Sequence, residues 1–166
     1  YDSYNQLIED VHRYKIPVQR IAAGDKIDDA AGTIEVLYPK ADAPEKAFQQ
    51  YYDGLVLKIS GGDGKNFLFA AGNAYPLAEV VDFKPDFIFV ADLPYPFETF
   101  EKFAKNHVPE GIAISFRFPS SWLMENFHHA GAITSRSRSY LPRFRQWAFP
   151  VYTTSENGAI QVDLKI

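Results

Sequence analysis

The sequence predicts a mixed α/β domain, on three observations. Short apolar runs with strand character recur along the chain, and two of them, 87–90 and 111–115, are continuous enough to suit strands buried on both faces. Amphipathic stretches with apolar residues at helical spacing lie between the runs. Glycine-rich and Asn-Gly turns join neighbouring runs into hairpins. At 166 residues the chain suits one domain, long enough to bury roughly two-thirds of its unfolded surface. No repeat, low-complexity tract or linker divides it.

Each element has a local reason. Leu7, Ile8 and Val11 recur at helical spacing over 4–14, and Pro17 ends that helix. Residues 17–22 read as a short strand, followed by a turn at Gly24-Asp25-Lys26. Ile34, Val36 and Tyr38 alternate with Thr33, Glu35 and Leu37 in a second strand closed by Pro39. The polar stretch 40–53 reads as a loop with a helical turn near 45–50. Runs 55–59 and 66–70 flank Ser60-Gly61-Gly62-Asp63-Gly64, whose glycines supply the positive φ of a tight hairpin turn. Ala71-Gly72-Asn73 turns into a short helix over 76–81, and a longer helix spans 98–106. Residues 116–145 are irregular and rich in aromatics, Ser and Arg, and 150–153 with 159–166 form a closing hairpin around Asn157-Gly158.

Composition narrows the function classes. Hydrophobic residues make up 46% and charged residues 23%, which places the chain among globular proteins. The absence of cysteine removes disulfides, thiolate nucleophiles and Cys-ligated metal sites. No run approaches the ~18 apolar residues of a membrane span, and no signal-peptide pattern is present. The chain opens on Tyr1 rather than Met and reads as a piece of a longer protein. Gly-x-Ser-x-Gly is missing, and Gly61-Gly62-Asp63-Gly64 lacks the Lys-Ser/Thr of a phosphate loop.

An ordered series of short pieces then carries a resemblance. Ile34-Glu35-Val36-Leu37-Tyr38-Pro39, Gly54-Leu55-Val56-Leu57-Lys58-Ile59 and Phe67-Leu68-Phe69-Ala70-Ala71-Gly72-Asn73 come first. Pro85-Asp86-Phe87-Ile88-Phe89-Val90-Ala91-Asp92, Gly111-Ile112-Ala113-Ile114-Ser115 and Tyr152-Thr153-Thr154 with Asn157-Gly158-Ala159-Ile160 follow. Together they resemble the later part of a metallo-β-lactamase-fold domain, and within that group the hydrolase-like C-terminal domain of the ComEC family of DNA-uptake proteins. The resemblance implies an αββα sandwich, of which this length would hold a part, in a larger membrane protein. It also implies a place on the extracytoplasmic face of the cytoplasmic membrane and a role in competence.

The metal motifs of that family are degenerate here. Its opening His-x-His-x-Asp-His has no counterpart. The bridging aspartate of its Gly-Asp motif is replaced at Asn73, whose neutral amide bridges two cations poorly. Its His-His-Gly-Ser aligns with Asp92-Leu93-Pro94. The resemblance offers His129, beside His128, as the family's last histidine ligand, but the residues favour an ordinary surface or aromatic-packing histidine. Asn73, Asp92 and His129 are thus vestigial metal candidates, with ordinary turn chemistry as the other reading of Asn73 and Asp92.

The expectation is a non-catalytic domain with no cofactor and a scaffolding or strand-handling role. The alternative is a zinc- or manganese-dependent phosphodiesterase or nuclease whose first ligands lie upstream and whose site Asp92 and His129 complete. A protein-interaction domain without ligand is the third reading. For strand handling, residues 117–145 hold five Arg against one Glu, a local +4 in a chain of net charge −4. Arg136, Arg138, Arg143 and Arg145 alternate there with hydroxyls and aromatics that suit phosphate and unpaired bases of single-stranded DNA. The competing reading pairs these arginines with the surplus carboxylates of the domain.

Overall fold

The computed structural model describes residues 2–41, 54–72, 76–91, 97–115 and 142–154. Seven strands form one mixed sheet in unbroken chain order, β1 (Lys26–Asp29), β2 (Gly32–Tyr38), β3 (Gly54–Gly61), β4 (Asn66–Gly72), β5 (Phe87–Val90), β6 (Gly111–Ile114) and β7 (Val151–Thr153). β1 to β4 pair antiparallel, and β4 to β7 pair parallel. The change of direction follows from the connections. Two-to-four-residue turns after β1 and β3 return the chain antiparallel, whereas parallel neighbours need a crossover. α2 (Leu77–Val80) and α3 (Phe97–His107) lie in the first two crossovers, and residues 142–149 precede β7 in the third. The expected mixed α/β class therefore holds, in its α+β form.

The crossovers share one face of the sheet. Val56, Leu68, Ala70, Ile88, Val90, Ile112 and Ile114 point to it and pack with Leu77 and Val81, with Phe97, Phe100, Phe103 and Ala104 of α3, and with Phe144, Trp147 and Phe149. Successive side chains of a strand alternate between faces, so this set follows from register. α3 contributes at i, i+3, i+6 and i+7, the spacing of one helical stripe. A shift of register between Val36 and Tyr38 lets Leu37 and Tyr38 both reach this core, which a regular strand would forbid.

The other face carries two register rows. One runs Ile34, Ile59, Phe67, Phe87, Gly111, and the next Val36, Leu57, Phe69, Phe89, Ala113, Tyr152. Phe69 and Phe89 stack with ring centroids 5.3 Å apart, and Phe67 and Phe87 tilt at 6.3 Å. All four phenylalanines are half-buried. That corrects the expectation for 87–90. Ile88 and Val90 are fully buried under the helices, while Phe87 and Phe89 face the less covered side. β6 is buried on both faces as expected; Phe87 lies across Gly111, where an added Cβ would sit 2.6 Å from the Phe87 Cε2.

Three further elements depart from the sequence reading or confirm it. Residues 17–22 form no strand, and the first strand is instead the polar Lys26–Asp29. The amphipathic helix is present as α1 (Asp2–Arg13), with Leu7 57% and Ile8 37% exposed. The hairpin at 61–64 forms as expected, with Gly64 at φ +81° and the Asp63 carboxylate accepting the Lys65 N–H at 3.0 Å. Asp25 serves its turn likewise, accepting the Ala22 N–H at 2.8 Å. Residues 42–53 of the loop expected over 40–53, and the strand expected over 159–166, lie outside the described residues.

Candidate functional site

In an α/β sheet the chain leaves parallel strands at one edge, where loops gather side chains from several strands. β4, β5 and β6 end together here: Ala70 pairs with Val90 and Val90 with Ile114, the Ala91 N–H donates to the Ala70 carbonyl at 2.8 Å, and the Ser115 N–H donates to the Val90 carbonyl at 2.8 Å. Asn73 follows Gly72 directly in sequence, and Asp92 follows Val90 by two residues. Both lie outside the described residues, as do His129, Arg136 and Arg138. Among the described residues, no group of three or more His, Cys, Asp or Glu side chains converges as a metal site would require. His107 is engaged locally, its ring 4.1 Å from that of Phe103 and its Nδ1 2.9 Å from the Phe103 carbonyl oxygen.

Two of the four candidate arginines, Arg143 and Arg145, are described. Arg143 is bound into a charged cluster on α3. Its guanidinium pairs with Glu101, stands 3.6 Å from Glu98 Oε1, and lies over the Phe97 ring at 4.9 Å. Glu101 is the centre of this cluster, with its side chain 15% exposed. It also accepts from Lys105 Nζ at 3.0 Å and from the Trp147 indole N–H at 3.3 Å. Burial pushes the Glu101 carboxyl upward, but hydrogen bonds from Lys105 and Trp147 and the charges of Arg143 and Lys105 outweigh that and hold it below its ordinary value. For Arg143, the reading that pairs arginines with surplus carboxylates is thus the one the geometry realises.

The local sequence explains the arrangement. Glu98, Glu101 and Lys105 fall at i, i+3 and i+7 and share one side of α3, next to the stripe of Phe97, Phe100 and Ala104. Phe144, Trp147 and Phe149 enter the core beside that stripe; the Phe144 and Trp147 rings meet edge-on at 5.1 Å, as do Trp147 and Phe149 at 5.3 Å. Trp147 needs a partner for its N–H when buried, and Glu101 supplies it. Arg145, two residues from Arg143, is exposed and borders a shallow cleft of about 310 Å³ with Phe144, Trp147, Phe149, Val151 and Thr153. The aromatic side chains of that cleft are committed to the core, so base stacking on Trp147 or Phe149 would require them to leave it.

At the opposite edge, where β4, β5 and β6 begin, a polar brace joins the strands. The Asp86 carboxylate accepts the Asn66 N–H at 2.8 Å, the Glu110 N–H donates to the Asp86 carbonyl at 2.7 Å, and Lys65 pairs with Glu110 at 2.7 Å. Glu110, through its hydrogen bond, raises the Lys65 ammonium above its ordinary value.

Sequence reading named Arg143 as a contact residue and missed Glu101. The only sequence signal for Glu101 was its i, i+4 spacing to Lys105, since Arg143 and Trp147 stand 42 and 46 residues away. No family model, curated protein or solved structure matches the chain.

Proposed function

We propose that this chain is a non-catalytic, scaffolding layer of a metallo-β-lactamase-type αββα sandwich in a ComEC-like DNA-uptake protein, and that its arginine segment handles a single DNA strand. The observation that carries the reading is the asymmetry of the sheet. Helices cover one face, and two apolar rows cross the other on up to six strands. A sheet whose second face meets water alternates apolar with polar residues. Here Leu57, Phe69 and Phe89 stand where polar residues would, as in one sheet of two packed face to face about 10 Å apart. Half an αββα sandwich presents this arrangement, and the ordered likeness of β2 to β6 supports the same assignment.

In the family the domain lies outside the cytoplasmic membrane, joined to it through other parts of the protein; among the described residues, no helix is long and apolar enough to cross a membrane. The substitution at Asn73 and the Asp92-Leu93-Pro94 sequence support the non-catalytic part. Arg136, Arg138 and Arg145 carry the strand-handling part, with Arg143 holding α3 to the segment that follows it.

The test has two arms on the same purified protein. Anisotropy with labelled single-stranded DNA should give salt-sensitive binding. Arg136→Ala, Arg138→Ala and Arg145→Ala together should flatten the slope of log affinity against log salt by about 2, at roughly 0.7 per lost phosphate contact. An unchanged slope in that variant overturns strand handling. Elemental analysis after equilibration with zinc and manganese forms the second arm, with no stoichiometric metal expected. Stoichiometric metal lost on Asp92→Ala or His129→Ala overturns the non-catalytic reading in favour of a phosphodiesterase.

A further inference from the structure

We draw no further inference here: the strongest candidate, the apolar sheet face built by Leu57, Ile59, Phe67, Phe69, Phe87 and Phe89 opposite α2 and α3, carries nothing beyond the proposal above because nothing in the structure shows what covers it.

Discussion

Replacing Glu101 by Gln tests whether the charged cluster on α3 holds residues 142–154 in place. The amide keeps the shape and one acceptor oxygen for the Trp147 N–H, but loses the charge that Arg143 and Lys105 face. A hydrogen bond to a charged group contributes about 1.5–3 kcal/mol when well buried, and an exposed i, i+4 pair about 0.3–0.5. Arg143 and Lys105 are 40% and 54% exposed, so solvent screens both. The net cost expected is about 1–2 kcal/mol at pH 7, or a Tm lower by roughly 2–8 °C. Urea unfolding followed by tryptophan fluorescence reads it, since Trp147 is one of two tryptophans and touches Glu101. The sign with pH is fixed by the lowered carboxyl. The gap between parent and variant is fully present above the ordinary value of 4.5 and closes as pH falls through the lower folded value. Other carboxylates titrate alike in both proteins and cancel. A gap below about 0.5 kcal/mol at pH 7, or one equally large at pH 3, refutes the reasoning.

Other perturbations follow from packing. Phe100→Ala removes a ring that is 1% exposed at the centre of the core and should cost about 3–5 kcal/mol in urea unfolding. Phe69→Thr or Phe89→Thr, on the half-buried face, should cost clearly less, about 1–2 kcal/mol including the lost stacking; a cost equal to that of Phe100→Ala would contradict the burial difference. Gly32→Ala should abolish folding or separate β2 from β3, because its Cβ would overlap the Ser60 carbonyl oxygen at a φ of +153°. Heteronuclear NMR of that variant reports which, and an undisturbed spectrum would contradict the geometry.

Elements fixed by local chemistry were legible in the sequence, and those fixed by distant partners were not. The β3–β4 hairpin declares itself through glycines that a tight turn requires, and α3 through four apolar positions on one stripe. β1 reads Lys-Ile-Asp-Asp, and aspartate is depleted in strands. It forms because β2 pairs with it and because the Asp29 carboxylate accepts the Ala31 N–H at 2.6 Å and the Gly32 N–H at 3.2 Å. Residues 17–22 have the composition of a strand but join no ladder among the described residues. The apolar run 87–90 showed that β5 is central, yet not that one of its faces is less covered than the other. At the candidate site, the arginine and aromatic residues were visible as a cluster. That Arg143 is spent on Glu98 and Glu101 depends on a fold that brings α3 beside residues 142–149.

The unbroken strand order also bears on how the molecule is made. Among the described residues, each strand from β2 onward hydrogen-bonds to the described strand that precedes it in sequence. Among the described strands, each from β2 onward therefore meets a docking edge synthesised before it, and none is inserted between two earlier neighbours. Sheets that require such insertion close large loops first, which slows folding and leaves edges open to other chains. Along β1 to β7 the order is compatible with addition of each strand at one edge, although the parallel pairs β4 to β7 still wait for their crossovers to close.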